Sequence, residues 1–136
     1  MSSGMGYSAL HRYVELDESY YAAYEAYHPN VSVLQQVYTH LPAAHVIVFA
    51  RRTCPDCLRN IPAMARIAEH LPSWTWEVLE SDAHPDQRLA LGIVRIPTFI
   101  ICDHNGEREL GRIVENPLSG SLEYDLLDIV RPYGAA

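Results

Sequence analysis

The chain has 136 residues, of which 49% are hydrophobic, and this predicts one compact domain with a sizeable core rather than a disordered chain. The formal net charge of −7 argues against a nucleic-acid partner, because phosphate binding needs clustered Lys and Arg side chains. No apolar run approaches the roughly 20 residues of a membrane span, and the N-terminal stretch lacks the cationic end and apolar run of a secretory signal, so we expect a cytoplasmic protein without a membrane partner.

Two helical patterns precede the first predicted strand. Three tyrosines recur at i, i+4 and i+7 behind Asp17, a plausible N-cap residue, and we interpret their stripe as packing. These tyrosines are Tyr20, Tyr24 and Tyr27. After a proline-containing break, a second helical period runs from Asn30, its expected cap, to a stop at Pro42. The sequence therefore predicts that residues 1–42 form a helical extension packed on the domain that follows.

Strand and helix patterns alternate along the rest of the chain. The run 45–50, HVIVFA, is continuously apolar apart from its first residue, which is typical of a strand buried on both faces. The later predicted elements are a helix over 57–70 with Pro62 inside it, a strand over 74–80, a short helix over 86–91 closed by Gly92, strands over 98–102 and 109–114, and a helix over 121–130.

This order of elements defines the expected topology. The first two strands are joined through a helix and should be parallel, whereas the final pair forms a hairpin and should be antiparallel. We therefore predict an α/β fold for residues 43–136, with a mixed four-stranded sheet flanked by helices.

The motif Cys54-Pro55-Asp56-Cys57 lies where the first strand ends and a helix begins. Unpaired N–H groups and the positive end of the helix dipole stabilise a thiolate at such a position. We therefore expect Cys54 to be the exposed nucleophile and Cys57, one turn inside the helix, to be the resolving thiol. Pro55 suits the first helical turn, where its missing N–H group is not needed.

Half of a zinc site is the main alternative for a CxxC motif. A second half-site is not evident, because the third cysteine, Cys102, stands alone in an apolar strand and the seven histidines are scattered. We interpret Cys102 as a small core residue, and an odd number of cysteines fits a reducing compartment. We therefore expect a protein that needs neither a metal nor a bound cofactor.

The motif and a second segment together resemble the thioredoxin superfamily. Gly92-Ile93-Val94-Arg95-Ile96-Pro97-Thr98 precedes a strand and a hairpin, as the cis-proline loop of that family does. The resemblance covers about residues 43–131. It implies a thioredoxin-like fold, a cis peptide bond before Pro97, and a loop in which Ile96 and Pro97 hydrogen-bond an incoming substrate as a strand.

The chain departs from that family in three respects. Thr53 replaces the tryptophan that precedes the first cysteine, which removes part of the usual surface for docking protein substrates. Val48 aligns with the buried aspartate that helps to deprotonate the second cysteine in most thioredoxins. The dipeptide between the cysteines is Pro-Asp rather than Gly-Pro, an order with proline first as in glutaredoxins and a sequence shared with small thioredoxin-related proteins that prefer low-molecular-weight disulfides.

Charged side chains around the motif suggest modulating roles. The Asp56 carboxylate disfavours a second negative charge on Cys54, whereas the helix end and the neighbouring arginines favour it. Asp56 is also a candidate to relay a proton to or from Cys57, although it equally suits the first turn of a helix. Arg51 and Arg52 are candidates to bind an acidic substrate group, or they belong to a solvated loop.

The sequence thus predicts a thiol–disulfide oxidoreductase that acts on small or protein disulfides and receives electrons from a separate reductase. A glutaredoxin-like reductase of mixed disulfides is one alternative, supported by the proline-first dipeptide and the arginines. A redox-inert binding module that uses the proline loop and the added helices is the other.

Overall fold

The computed structural model describes residues 7–134. Its helices are α1 (Ala9–Glu15), α2 (Glu18–Ala26), α3 (Val31–His40), α4 (Pro55–Ala68), α5 (Pro85–Ala90) and α6 (Leu122–Val130), and its strands are β1 (Ala44–Ala50), β2 (Trp74–Glu80), β3 (Thr98–Cys102) and β4 (Glu109–Val114). A 3₁₀ turn covers Ser81–Ala83. The first six residues of the stretch searched for a secretory signal lie outside the described part. Within residues 7–134, no helix is both long and apolar enough to cross a membrane.

The four strands form one sheet in the order β2-β1-β3-β4. β1 pairs with β2 in parallel, and the β1–β3 and β3–β4 pairs are antiparallel. The predicted mixed four-stranded sheet is therefore confirmed. In this register Ala50 at the end of β1 lies opposite Glu80 at the end of β2, and Phe49 lies opposite Thr98 at the start of β3.

Apolar side chains cover both faces of β1, as its continuous apolar run predicts. Val46, Val48 and Ala50 belong to the main core, together with side chains of α1, α2, α3, α4 and α6. Phe49 belongs to a second cluster on the other face, which also contains Cys102 at 4% exposure. Alternate side chains of one strand thus reach two different apolar layers.

The helix α1 is absent from the sequence-based prediction. It begins after Ser8, whose Oγ accepts a hydrogen bond from the Leu10 N–H group at 3.1 Å. The Ser8 N–H group in turn donates to Nδ1 of His11 at 3.0 Å, which completes a capping box with histidine in the place usually taken by Glu or Gln. The described part of the chain therefore has three helices before β1, and the predicted count of two is wrong.

Buried polar contacts connect the N-terminal helices to the rest of the fold. Glu123, in the first turn of α6, is 3% exposed and accepts hydrogen bonds from the Tyr27 hydroxyl and the Asn30 N–H group, both at 2.7 Å. On the other side, Nε of Arg66 in α4 donates to the Tyr24 carbonyl oxygen at 2.9 Å. Both helix caps expected from the sequence are present, since the side chains of Asp17 and Asn30 accept hydrogen bonds from the helices that follow them.

We expect the substitution Leu10→Ala to lower the free energy of unfolding by about 2–5 kcal/mol, because Leu10 is fully buried in the main core. Leu16→Ala is the matched control, since this leucine directly follows α1 but is 80% exposed, and should change the free energy by less than about 0.5 kcal/mol. Urea unfolding followed by circular dichroism measures both variants. Equal effects would show that α1 does not share the core of the sheet.

Candidate functional site

The two cysteines of the motif occupy different environments at the start of α4. Cys54 is the N-cap residue, Pro55 is the first helical residue, and Cys57 lies one turn inside. The Cys54 side chain makes no capping hydrogen bond to the helix, unlike the side chains of the N-cap residues of α2, α3 and α6. The sulfur is therefore not bonded to the helix backbone, and it lies at the end of the helix where unpaired N–H groups favour negative charge.

Cys54 faces the segment that the sequence predicts as a substrate loop. Its partly exposed thiol donates to the Ile96 carbonyl oxygen, with Sγ and O 3.7 Å apart. The peptide bond between Ile96 and Pro97 is cis. Pro97 is buried, and its carbonyl oxygen accepts a hydrogen bond from the Glu115 N–H group at 2.7 Å. The fold thus brings Cys54, Ile96 and Pro97 together from sequence positions more than forty residues apart.

Glu115, which hydrogen-bonds to the proline loop, has an unusual backbone conformation. Its φ of 63° lies in the left-handed region, which non-glycine residues seldom adopt and which costs them roughly 1–2 kcal/mol. This conformation directly follows β4 and accompanies the hydrogen bond to Pro97. Glu115 was not among the predicted site residues, because the residues around it in the sequence give no signal for this backbone conformation.

Cys57 is fully buried and its Sγ accepts one backbone hydrogen bond, from the Arg51 N–H group at 3.5 Å. Burial raises the pKa of the Cys57 thiol to about 12, and the hydrogen bond from Arg51 opposes this rise only in part. The negative charges of Cys54 and Glu80 add to the rise. Cys57 is therefore a neutral thiol at physiological pH.

Asp56 contacts the turn that follows β4. Its carboxylate pairs with Arg59 and accepts a hydrogen bond from Nδ2 of Asn116 at 3.4 Å. The buried Asn60 donates both to the Asp56 carbonyl oxygen and to Oδ1 of Asn116, each at 2.9 Å. Neither cysteine is among the hydrogen-bond partners of this carboxylate in the part of the chain that the structure describes. Asn60 and Asn116 were not predicted, because their pairing depends on contacts 56 residues apart.

The two arginines before the motif have different partners. Arg51 makes a bidentate ion pair with Asp82, with Nε and Nη2 at 3.0 and 2.9 Å from the two carboxylate oxygens. This pairing holds the pKa of the Asp82 carboxyl below its usual range. The guanidinium of Arg52 instead lies 3.7 Å from the ring centroid of Tyr13 and 4.8 Å from that of Tyr20. Arg51 is therefore occupied within the protein.

Tyr13 and Tyr20 place the N-terminal helices directly against the motif. Nη1 of Arg52 donates to the Tyr13 carbonyl oxygen at 2.7 Å, and the Tyr20 hydroxyl donates to the Arg52 carbonyl oxygen at 2.8 Å. The two phenol rings meet edge to face at 5.6 Å. The tyrosine stripe of α2 was interpreted as packing, and Tyr20 is indeed 2% exposed, but it also holds the turn before Cys54.

The remaining predicted residues lie on the surface around Cys54. Thr53 and Pro55 are exposed on either side of it. Within residues 7–134, no group of three His, Cys, Asp or Glu side chains is placed to hold a metal ion.

A mixed sheet, a dithiol at the start of the helix after its first strand, and a cis-proline segment facing that dithiol define a protein of the thioredoxin superfamily. The sequence pattern of a family described as Thioredoxin matches residues 8–121, and the chain belongs to this family. The predicted superfamily and fold class are therefore confirmed. The matched residues include the three N-terminal helices.

Solved structures share this fold at low sequence identity. An HIV epitope scaffold is 21% identical with a TM-score of 0.71, over 92% of each chain. A protein of unknown function from Pseudomonas aeruginosa is 20% identical with a TM-score of 0.66, over 97% of this chain and 86% of that one. A thioredoxin from Trypanosoma brucei brucei is 21% identical with a TM-score of 0.54, over 80% and 91%. None of the curated proteins compared with this chain matches it significantly.

We expect iodoacetamide at pH 7 to alkylate Cys54 in the folded protein and to leave Cys57 and Cys102 unmodified. A thiol with a pKa of about 12 is ionised at that pH only to a fraction on the order of 10⁻⁵, and both unreactive cysteines are buried. Mass spectrometry of tryptic peptides measures the labelling, and all three cysteines should react in denaturant. Labelling of Cys57 as fast as Cys54 would contradict the assigned environments.

Proposed function

We propose that the protein is a thiol–disulfide oxidoreductase that reduces small or protein disulfides by dithiol exchange. The observation that carries this proposal is the position of the Cys54 sulfur, at the N-terminus of α4 and 3.7 Å from the Ile96 carbonyl oxygen, with Cys57 one turn behind it. Such a sulfur is exposed to substrate and stabilised as a thiolate by the helix end.

The exchange proceeds in two steps. The Cys54 thiolate attacks one sulfur of a substrate disulfide, forms a mixed disulfide and releases the other sulfur as a thiolate. Cys57 then loses its proton and attacks the Cys54 sulfur, which forms the Cys54–Cys57 disulfide and releases the second substrate thiolate. The substrate gains two electrons and the protein loses two, and a separate reductase restores the dithiol.

The proline loop supplies the docking site for the substrate backbone. The Ile96 and Pro97 segment lies beside Cys54, where an extended peptide adjoining a disulfide would meet main-chain hydrogen-bonding groups. Thr53 offers little apolar surface next to the nucleophile, so small disulfides and short peptides suit the site better than large folded proteins.

The proposal includes a location and a domain organisation. A reducing cytoplasm fits the odd number of cysteines in the chain. Residues 1–42 would act as a helical extension of a thioredoxin-like domain over 43–136, within one compact unit. The contacts of α1 and α2 with α4, and of Tyr13 and Tyr20 with Arg52, support an extension that stabilises the motif.

We expect Cys54→Ser to abolish reduction of a chromogenic aromatic disulfide by the pre-reduced protein, with no other thiol present, because it removes the attacking sulfur. Cys57→Ser should allow the first attack and accumulate a mixed disulfide, visible by mass spectrometry as one added half of the substrate. Cys102→Ser is the control and should retain activity within about twofold, since Cys102 lies in the second cluster behind the sheet.

The two alternatives give different results in the same variants. If the protein is a glutaredoxin-like reductase, its Cys57→Ser variant would still reduce glutathione mixed disulfides. A redox-inert binding module would show no mixed disulfide, and the Cys54→Ser, Cys57→Ser double variant would retain partners from a cell extract as well as the natural protein does. Either outcome would overturn the dithiol mechanism.

A further inference from the structure

The second step of the proposed reaction needs a proton acceptor for Cys57. This thiol is fully buried, and Val48, which aligns with the acidic residue of most thioredoxins, is an apolar residue of the main core at 0% exposure. Asp56 was the candidate from the sequence, but its carboxylate pairs with Arg59 and Asn116. The acceptor must therefore be another group near Cys57.

Glu80 is the candidate that the strand register suggests. It is the last residue of β2 and stands opposite Ala50, the last residue of β1, in the parallel register. The next residue after Ala50 is Arg51, whose N–H group donates to the Cys57 sulfur at 3.5 Å. Glu80 is thus adjacent to the backbone that holds Cys57, and it is partly buried rather than free in solvent.

The N-terminal helices orient this carboxylate. The Tyr13 hydroxyl donates to Oε1 of Glu80 at 3.3 Å. Tyr13 is itself held by Arg52, which lies over its ring at 3.7 Å and donates to its carbonyl oxygen at 2.7 Å. The Tyr20 ring packs against the Tyr13 ring edge to face. The Glu80 side chain therefore has a fixed hydrogen-bond donor that is supplied by α1.

Electrostatic coupling links the members of this cluster. Burial is the main cause of the raised pKa of Cys57, and the Glu80 carboxylate adds to it. Burial likewise raises the pKa of Tyr13, with a contribution from Glu80, and raises the pKa of Tyr20 to about 12, with a contribution from Cys57. Both phenols keep their protons at neutral pH, so they act as donors and leave Glu80 as the basic group.

We propose that the Glu80 carboxylate, oriented by the Tyr13 hydroxyl, accepts the proton of the Cys57 thiol when Cys57 attacks the mixed disulfide on Cys54. This role rests on the proposed dithiol function. The S–H bond of Cys57 breaks, Glu80 takes the proton, the Cys54–Cys57 bond forms, and the bond from Cys54 to the substrate sulfur breaks. The leaving thiolate then takes up the proton from Glu80 or from water.

Other charged or titratable groups face the cluster from each packed element. Tyr13 comes from α1 and Tyr20 from α2, and Arg51, Arg52 and Cys54 come from the turn and the start of α4. On the side of β2, Nδ1 of His84 lies 3.0 Å from the Glu80 carbonyl oxygen rather than from its carboxylate. Arg51 is neutralised by Asp82, so Glu80 is the acidic side chain that acts on both Cys57 and Tyr13.

The test separates the two steps with an aromatic disulfide that releases one chromogenic thiolate in each step. In Glu80→Gln the first release should keep its rate within about twofold, whereas the second should slow by about 10²-fold near pH 7. Its rate should then rise about tenfold per pH unit, because hydroxide must remove the proton from a thiol whose pKa is raised mainly by burial, and burial persists without the Glu80 charge. The unsubstituted protein should show a much weaker pH dependence between pH 6 and 9.

Three further variants sharpen the test. Glu80→Asp should recover part of the second rate, and Tyr13→Phe should slow that rate by several-fold while the first release stays unchanged. Glu77→Gln is the matched control on the same strand. The Glu77 carboxylate pairs with Nε2 of His45 at 3.0 Å and not with a residue of the motif, so this variant should behave like the natural protein.

The outcomes distinguish failure of this proposal from failure of the function. If the natural protein releases no thiolate at all, the dithiol reaction itself is refuted. If both releases occur and a folded Glu80→Gln variant keeps the natural second rate and pH profile, Glu80 is not the acceptor. A profile that changes in Asp56→Asn but not in Glu80→Gln would assign the role to Asp56 instead.

Discussion

The contact between the Cys54 sulfur and the Ile96 carbonyl oxygen depends on the meeting of two segments at one end of the sheet. One segment is the turn from β1 into α4, which places a cysteine at a helix N-terminus. The other is the proline loop before β3, the strand that pairs with β1 on the side away from β2. Because β1 and β3 are hydrogen-bonded neighbours, the end of one and the start of the other are held side by side. The site is therefore a consequence of strand order.

The surroundings of the dithiol divide into an outer and an inner side. On the outer side, Glu115 fixes the Pro97 backbone and Asn116 joins Asp56 to Asn60. On the inner side, the N-terminal helices bring tyrosines against Arg52 and Glu80. Cys54 adjoins both groups of residues and is itself partly exposed. The N-terminal helices thus contact Arg52 and Glu80 as well as contributing side chains to the core.

Local sequence signals predicted most of the fold correctly. Caps at Asp17 and Asn30 and the continuous apolar run of β1 report on the residues immediately around them. The helix α1 escaped prediction because it has only seven residues and its capping box uses His11 instead of Glu or Gln. Glu80 and Asn116 gave no local signal, since a carboxylate at a strand end and an asparagine before proline are common surface residues.

The sequence by itself determined the chemistry that is available: two thiols at the start of a helix, a proline loop to face them, and no acid at the position of Val48. These features follow from residue identity and spacing along a few turns of chain. Only the tertiary structure decided that Arg51 is neutralised by Asp82, that Arg52 lies over Tyr13, and that Glu80 shares a cluster with Cys57. Such pairings join residues 23 to 39 positions apart, and chain packing, not local preference, selects them.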